Sequence, residues 1–494
     1  MRLFSLVAVL STAANCSWAF ATFDHLENLS RKLNNFRNEL SPHTQLFFPS
    51  DKNWTTETTQ RYTIHGSPTY IASIKPATES DVQKIVKFCS DLDIPFLATG
   101  GGHGFATTFR NLKNGIEIDL GFFRSVSVDA TANTMTIGGG THFQDVFDPL
   151  FKEGKEIQTG SCPCIGMLGA TLGGGVGRYS GYHGMIIDSL LSVRIVTADG
   201  RVTLASQKQN SDLFWAVRGA GMNYGIILSA TYRVHDQTVS HVTNVDIDFP
   251  LSQSRTLMNW LKDHETTMPI GLSPTLLIGY STERKEATFT LNVVYIGPKK
   301  QAESLLRPLL TADHIRQNVS EVPWNTFLNA PFWGVLGMGC PKGLNANLYG
   351  LAVKTFDVDT YVSMFDNWNK FVQANPETQK SVFYIEAFPT QGIRAVADDA
   401  TAYPHRDANA HLLFNFEYPT GNSSLERKVN DFAVKCRNDL TRVSGYSQLS
   451  VYVSYGHGDE AVQSLYGSEK LPRLRALKKK WDAKNLFRFN EPLV

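Results

Sequence analysis

Short apolar runs alternate with amphipathic stretches along the first half of the chain, after a polar, helical lead-in at residues 22–60. Residues 71–74 and 96–98 are apolar runs of strand length, and residues 82–91 between them place apolar side chains on one helical face. This alternation predicts a β/α arrangement. The same pattern predicts a short helix at 143–151 and strands at 116–120, 125–128, 134–137, 190–197 and 201–204.

Beyond residue 236 the pattern changes to longer strands of alternating polarity. Along residues 242–249, Val245 and Ile247 share one phase, whereas Asn244 and Asp246 share the other. Such strands are typical of an antiparallel sheet backed by helices, so the sequence predicts an α+β fold with two lobes. Further elements are expected as strands at 275–278, 287–295 and 348–355 and as helices at 253–264 and 300–310.

The N-terminus has the features of a secretory leader. Met1 and Arg2 provide a basic start before an apolar run at 3–10, and Ala19 and Ala21 fit a cleavage site. The apolar run is too short to cross a bilayer as a helix. We therefore predict a signal peptide over residues 1–21 and a secreted protein. Four N-x-S/T sequons favour a glycoprotein, at Asn28, Asn53, Asn318 and Asn422.

The charge balance excludes some classes of partner. The chain has 494 residues, with 47 Lys and Arg against 46 Asp and Glu. Such a chain has no long-range field for nucleic acid or an anionic membrane. Beyond the leader, no run of about 18 apolar residues predicts a membrane span. We expect a monomer that takes a small, largely uncharged substrate.

Five cysteines follow the leader, an odd number that leaves at least one thiol without a disulfide partner. Cys162 and Cys164 are too close in sequence to pair easily with each other. No second cysteine pair and no cluster of histidines accompanies them, so we predict no metal site.

Two glycine-rich segments carry the strongest chemical indication. The first follows a predicted strand and contains His103, with Gly100, Gly101, Gly102 and Gly104. Its backbone can approach an anionic ligand closely, but its spacing differs from the Rossmann fingerprint. Glycine at such density forms helix and strand poorly, so both segments are predicted to wrap a ligand such as a pyrophosphate. The second segment contains Cys162, with Gly166, Gly173, Gly174, Gly175 and Gly177.

A third segment, residues 210–226, indicates a short helix and a glycine loop that enters a strand at Ile226. These segments, in this order and spacing, resemble the vanillyl-alcohol-oxidase-type FAD-binding fold, and most closely the fungal berberine-bridge-enzyme-like oxidoreductases. The tail agrees, at 452–455 and 485–487. The resemblance implies an FAD-binding domain at 22–236, a substrate domain at 237–447 and a C-terminal segment at 448–494 that returns to the first domain.

The resemblance also implies how FAD is held. In the family, a histidine of the first glycine loop bonds the 8-methyl carbon of the flavin, and His103 stands at that position. A cysteine four residues before a glycine can bond the six-position, which fits Cys162 before Gly166 better than Cys164. FAD would then be attached covalently twice, which raises its reduction potential. The glycines named above and Ile226 would line its binding site.

The implied reaction is a dehydrogenation with O2 as oxidant and H2O2 as product. A base takes a proton from an O–H or N–H while hydride passes to the flavin. Ile165 stands where relatives place the residue that gates oxygen, which favours oxidase behaviour. Relatives often have their base near a Pro-His-Arg segment, here 404–406. Candidate bases are Asp398, Asp399, Tyr403, Tyr455 and Glu386, and a carboxylate facing a pocket would have a raised pKa.

Two positions depart from the family pattern. Thr99-Gly100 replaces the usual Arg-Ser, and Ser454 stands where the tail often has Asn. Both changes alter hydrogen bonds to the ring without removing an attachment atom.

Three functions remain open. They are an oxidase of a secondary-metabolite alcohol or amine, an oligosaccharide oxidase with an open aromatic groove, and a non-redox isomerase, cyclase or binding protein. Loss of the histidine would favour the last, and His103 is retained.

Overall fold

The protein's computed structural model describes residues 29–494, so the predicted leader and the Asn28 sequon lie outside the described residues. The predicted α+β class is confirmed. The strands are β1 (Gln45–Phe47), β2 (Tyr70–Lys75), β3 (Phe96–Thr99), β4 (Gly115–Asp119), β5 (Val126–Asp129), β6 (Thr134–Gly138), β7 (Lys155–Glu156), β8 (Leu190–Val196), β9 (Val202–Ser206), β10 (Ile226–Arg233), β11 (His235–Asp236), β12 (His241–Pro250), β13 (Leu272–Ser281), β14 (Glu286–Tyr295), β15 (Arg316–Pro323), β16 (Ala346–Val353), β17 (Val382–Glu386) and β18 (Ala410–Glu417).

Helices connect and cover these strands. Residues 29–36 are helical at the start of the described chain. No helix within residues 29–494 combines the length and apolar composition that crossing a membrane requires. The α-helices that follow are Trp54–Glu57, Glu79–Asp91, Phe143–Lys152, Met167–Gly173, Ser180–His183, Ile186–Ser189, Ser211–Ala220, Ser254–His264, Lys299–Leu305, Arg307–Leu310, Val358–Ala374, Gln391–Arg394, Ser423–Arg442, Val462–Tyr466 and Leu471–Trp481.

Two main sheets build the first lobe. One has the strand order β1-β2-β4-β3, in which β4 runs parallel to both β2 and β3. The other, β5-β6-β10-β8-β9, is antiparallel. The helix Glu79–Asp91 buries Val82 and Ile85 completely. Its N-cap is Thr78, which forms a capping box with Asp81, so the helix begins earlier than predicted.

The second lobe is a seven-stranded antiparallel sheet of order β15-β12-β14-β13-β17-β18-β16. The predicted alternation along β12 is confirmed, because Val245 and Ile247 are fully buried in the core beneath the helices. Asn244 and Asp246 lie on the opposite face, since successive residues of a strand point to opposite sides. The sheet therefore presents a polar face to the first lobe and the cavity described below.

Some elements differ from the prediction. The expected helix at 300–310 is two helices, Lys299–Leu305 and Arg307–Leu310, because Pro308 has no N–H to continue the first. The strands β1, β7, β11, β15 and β18 were not predicted. β15 lies at the edge of its sheet with mainly exposed or half-buried residues, so its sequence lacks an apolar phase.

The tail packs on the first lobe. The helix Leu471–Trp481 contacts the helix Ser211–Ala220, and Lys478 Nζ donates to Asn223 O at 2.7 Å. A buried ion pair joins the lobes, since Arg406 Nη2 and Asp188 Oδ1 are 2.7 Å apart with both side chains 5% exposed. This ion pair holds the two lobes against each other, so side chains from both can line one site.

Candidate functional site

The two glycine-rich loops touch through bare backbone. A Cβ atom on Gly101 would lie 2.5 Å from the backbone N of Gly166, and one on Gly166 would lie 2.7 Å from Gly101 N. Neither position therefore has room for a side chain. This contact brings His103, two residues after Gly101, beside Cys162, four residues before Gly166.

His103 and Cys162 form a compact pair of nucleophiles. The imidazole and thiol atoms of His103, Cys162 and Cys164 lie within 4.8 Å of one another. The Tyr62 ring stacks on His103 with centroids 4.7 Å apart. Burial, with the nearby charge of Lys342, lowers the pKa of His103 to about 4, so the imidazole is neutral at pH 7. Burial raises the pKa of the Cys162 thiol.

A disulfide decides which cysteine is available. Cys164 is bonded to Cys340, 176 residues later in the chain. Among the described residues the free thiols are Cys89, Cys162 and Cys436, of which Cys89 and Cys436 are buried. Cys162 lines the cavity described below. With Cys164 oxidised, the cluster offers two metal ligands, fewer than the four of a structural zinc site.

The disulfide anchors the segment 332–343, here called the strap. The strap is tied to the second lobe where Phe332 N donates to Asp246 Oδ1 at 2.8 Å. It is tied to the first lobe where Lys342 Nζ donates to Gly101 O at 2.8 Å. Its apolar side chains line the cavity, namely Phe332, Val335 and Leu336.

Removing the disulfide is expected to destabilise the protein. The double variant Cys164→Ser/Cys340→Ser should lower the free energy of unfolding by about 2–4 kcal/mol, because a cross-link restricts the unfolded chain. Thermal unfolding with and without reductant measures the effect. Reductant should lower the midpoint of the wild type and leave that of the variant unchanged. Equal midpoints in all four samples would contradict a stabilising disulfide.

One cavity of about 550 Å³ lies between the glycine loops and the polar face of the seven-stranded sheet. It is the place where most of the predicted site residues meet. Ile165 and Ser454, singled out above for their family positions, also line it. The predicted residues that line the cavity are Gly100, Gly101, Gly102, His103, Gly104, Cys162, Gly166, Gly175, Ile226, Glu386 and Tyr455.

Three predicted cofactor-binding glycines lie behind the cavity wall instead. A Cβ on Gly177 would lie 1.9 Å from Thr159 O, and one on Gly173 would lie 2.2 Å from Ser454 Oγ. Gly174 has a φ of +136°, and a Cβ there would lie 2.6 Å from Met185 Cε. These glycines permit close packing of the segment, and they lie outside the lining of the cavity.

The candidate bases also divide into residues that line the cavity and residues that do not. Asp398 and Asp399 are exposed and away from the cavity. Tyr403 is 1% exposed and packs behind the wall, with its hydroxyl 3.5 Å from His411 Nε2. Arg406 of the Pro-His-Arg segment forms the ion pair with Asp188 that joins the lobes. Proximity in sequence to that segment therefore did not identify a group that reaches the cavity.

Glu386 and Tyr455 remain, and they form a hydrogen-bonded pair at the cavity. Glu386 ends β17, and the Tyr455 hydroxyl donates to its Oε2 at 2.6 Å. Burial raises the pKa of Glu386, although the Tyr455 hydrogen bond and the charge of Arg178 oppose that effect. Burial and Glu386 raise the pKa of Tyr455 well above its usual value. The tyrosine is therefore the donor and the carboxylate the acceptor.

Several buried polar atoms of the cavity wall have no hydrogen-bond partner among the described residues. They include Ser161 Oγ, Thr275 Oγ1 and Asn415 Oδ1. Buried polar groups are normally satisfied, so a ligand is the expected partner. Ser161 lies beside the nucleophiles, whereas Thr275 and Asn415 lie on the sheet.

Comparison with known proteins identifies the family. Residues 71–206 match the FAD binding domain, and residues 451–493 match the berberine and berberine-like family. The FAD-linked oxidoreductase azaL of Aspergillus niger is 41% identical over 446 residues, which cover 90% of this chain and 94% of azaL. The chain is a berberine-bridge-enzyme-like FAD-linked oxidoreductase.

Solved structures share the fold of this oxidoreductase. Wild-type BBE-like 1 of Physcomitrella patens has a TM-score of 0.80 at 22% identity, with 92% of this chain and 97% of that chain covered. Glucooligosaccharide oxidase from Acremonium strictum has a TM-score of 0.76 at 21% identity, with 90% and 95% covered. The FAD of that protein is described as 6-S-cysteinyl, 8α-N1-histidyl.

The cavity of the oxidoreductase fits FAD. Glycines of both loops line it, and backbone without side chains lets an anionic group approach closely. The buried Ser161 hydroxyl can donate to an oxygen or nitrogen of the cofactor. His103 and Cys162 provide a neutral imidazole and a thiol at the same end of the cavity.

Sequence reasoning missed four residues of this site. Tyr62 stacks on His103, Lys342 binds the first glycine loop, Cys340 holds the strap, and Arg178 lines the same cavity as Glu386. Arg178 directly follows Gly177, so its place in the glycine segment was an available indication. The other three come from distant parts of the chain, and disulfide pairing cannot be deduced from spacing.

Proposed function

We propose that this oxidoreductase is a secreted oxidase that dehydrogenates a small organic alcohol or amine, a secondary-metabolite intermediate, with O2 reduced to H2O2. The observation that carries the proposal is the shared cavity, which joins His103 and Cys162 to the Glu386–Tyr455 pair. Bound FAD supplies the hydride acceptor. The protein supplies the attachment atoms, the proton acceptor and the walls that orient the substrate.

We further propose that FAD is attached covalently through both His103 and Cys162. The neutral imidazole has a lone pair available for bond formation, and the disulfide leaves Cys162 rather than Cys164 as the free thiol. The glucooligosaccharide oxidase of the same fold has both kinds of link. Two links would hold the ring in place and raise its potential.

Glu386 accepts the substrate proton in this proposal. Its Oε2 already accepts from Tyr455, which leaves Oε1 for a substrate O–H or N–H. Tyr455 orients the carboxylate without competing for the proton, because its own pKa is far above neutral. A general base must lie within hydrogen-bond reach of the proton it takes, and Glu386 faces the cavity.

The cavity walls favour a small, largely apolar substrate. Leu348 and Leu413 line the sheet side, and Phe332, Val335 and Leu336 of the strap line the other side. Apolar walls with a few placed polar groups suit a compact organic molecule. The oligosaccharide alternative requires an open groove, whereas the strap covers one side of this cavity with Phe332, Val335 and Leu336. We propose that the protein acts as a monomer.

Secretion and glycosylation are supported by two features of the described chain. The Cys164–Cys340 disulfide suits an oxidising compartment. The sequon residues Asn53, Asn318 and Asn422 are all exposed. Endoglycosidase treatment of protein from a eukaryotic host should reduce its mass, and recovery from the medium should require residues 1–21.

A peroxide-release screen tests the proposed function. Apolar alcohols, amines and oligosaccharides of matched concentration should be compared with the flavin-loaded enzyme. We expect H2O2 from one of the first two classes and none from oligosaccharides. Turnover of oligosaccharides with no response to the other classes would overturn the proposed substrate class. Flavin reduction without peroxide under air would overturn the oxidase assignment.

The rate is expected to rise with pH through the pKa of Glu386. Burial raises this pKa above its usual value, so the carboxyl stays protonated to a higher pH than an exposed glutamate. The protonated form cannot accept a proton, and kcat/KM therefore falls as the pH decreases. The midpoint of this acid limb should lie above the ordinary pKa of an exposed glutamate. The limb should vanish in Glu386→Gln, and a limb that persists there belongs to another group.

A further inference from the structure

A row of polar side chains crosses the second-lobe sheet beside the cavity. Asp246 on β12 pairs with Asn292 on β14, Asn292 pairs with Thr275 on β13, and Thr275 pairs with Glu386 on β17. Directly paired residues of neighbouring strands share a face of the sheet. The candidate base and Asp246 therefore lie on one continuous polar line, which goes on to Asn318 on β15 and to His411 on β18.

Arg178 reaches into this row from the second glycine segment. Its Nη2 donates to Asn292 Oδ1 at 2.6 Å, and its Nη1 donates to Ser273 O. Arg178 is 2% exposed, and its Nε has no hydrogen-bond partner among the described residues. The guanidinium is thus fully buried, yet both of its direct acceptors are neutral groups.

A buried positive charge needs a nearby anion to be tolerated. The two carboxylates of the row flank Arg178. Asp246 is already occupied, because it accepts from Asn244, Asn292 and the backbone N–H of Phe332. Glu386 accepts one hydrogen bond from Tyr455 and lines the same cavity as Arg178. Both carboxylates act on the guanidinium through their charge, and Glu386 is the one that lines the cavity.

The other groups that face Glu386 are neutral. Burial raises the pKa values of Tyr384, Tyr452 and Tyr455 above their usual value. His411, which pairs with Glu386 from β18, has a pKa lowered by burial to about 3. Arg178 is thus the cation among the groups that act on this carboxylate.

We infer that Arg178 is a positioning residue for Glu386, whose ionised form it stabilises on the cavity side of the polar row. Asn292 fixes the guanidinium, and the guanidinium charge keeps the carboxylate ready to accept a proton. This inference rests on the proposed function, in which Glu386 is the base. It adds a residue that acts through Glu386 without touching the substrate.

The test compares Arg178→Gln with Arg178→Lys in flavin-loaded enzyme. Gln removes the charge and keeps an amide donor, whereas Lys keeps the charge. Loss of a neighbouring opposite charge should move the acid limb of kcat/KM upward by about one pH unit in Arg178→Gln. At the wild-type midpoint this shift is about a fivefold loss of kcat/KM. Arg178→Lys should retain the wild-type midpoint.

An unchanged acid limb in active Arg178→Gln overturns the inference. An equal shift in Arg178→Gln and Arg178→Lys also overturns it, because a structural role would produce that result.

Thermal unfolding provides a second measurement that needs no turnover. Arg178→Gln should lower the midpoint of the wild type more than that of Glu386→Gln, because the two charges depend on each other. If Arg178→Gln fails to fold both in the wild type and in Glu386→Gln, its effect does not depend on Glu386, and the inference fails.

These outcomes are distinct from failure of the proposed function. Glu386→Gln with undiminished turnover would remove Glu386 as the base. The thermal coupling between Arg178 and Glu386 would then still report whether the pair interacts. If the two residues are thermally coupled but Glu386→Gln turns over at the normal rate, Arg178 has a structural role in the cavity and no role in catalysis. That result also overturns the inference.

Discussion

Chains that carry both His103→Ala and Cys162→Ser are expected to lose covalent FAD completely. Precipitated in acid, the wild type should give a yellow pellet and a colourless supernatant, whereas the double variant should give the reverse or no flavin at all. The reason is that His103 and Cys162 are the neutral nitrogen nucleophile and the free thiol that the two glycine loops bring to one end of the cavity. Absorbance of the redissolved pellet measures the attached fraction.

The single variants His103→Ala and Cys162→Ser test the two covalent links separately. Each should retain a yellow pellet through the remaining bond, and mass spectrometry of flavin-bearing peptides should show one attachment site instead of two. The double variant Cys164→Ser/Cys340→Ser is the matched control, because it changes the neighbouring sulfur and should leave both links intact. Cys162→Ser with a flavin peptide identical to that of the wild type would show that the cysteinyl link is wrong.

Replacement of Glu386 by Gln is expected to reduce kcat/KM by about 10²–10⁴-fold, the usual contribution of a general base. The amide has nearly the shape of the carboxylate and can still accept from Tyr455, but it cannot take a proton. Flavin content and the thermal midpoint should change far less than the rate. Peroxide release and the rate of flavin bleaching under substrate without oxygen both measure the loss.

Asp399→Asn is the matched control for this prediction. Asp399 is exposed and away from the cavity, so its variant should keep kcat/KM within about twofold of the wild type. Tyr455→Phe should lose less than Glu386→Gln, because it removes an orienting hydrogen bond and leaves the base. A large loss in Asp399→Asn with a normal Glu386→Gln would reverse the assignment of the base.

Much of the fold was predictable from local pattern. The apolar periodicity of the helix Glu79–Asp91 and the alternation along β12 depend on near neighbours in the chain, and both were predicted. The strands β1 and β15 were missed because one is three residues long and the other lies at a sheet edge with few buried positions. A strand of that kind has no burial pattern to detect.

The candidate site was also predictable only where local sequence marks its residues. His103 and Cys162 are marked by glycine spacing, which is local. Gly173, Gly174 and Gly177 follow the same spacing but lie behind the wall, because a glycine is equally required where two packed segments touch and where a ligand approaches. Sequence cannot separate these two uses of glycine, and only the neighbouring atoms do.

The sequence by itself determined the family, the glycine loops and the two candidate attachment residues. The tertiary structure decided which carboxylate lines the same cavity, which cysteine is oxidised and that Arg178 reaches the sheet beside that cavity. Each of those facts joins residues far apart in the chain, such as Glu386 with Tyr455 and Cys164 with Cys340. They depend on strand order, strand register and the packing of two lobes, which no local pattern of polar and apolar residues specifies.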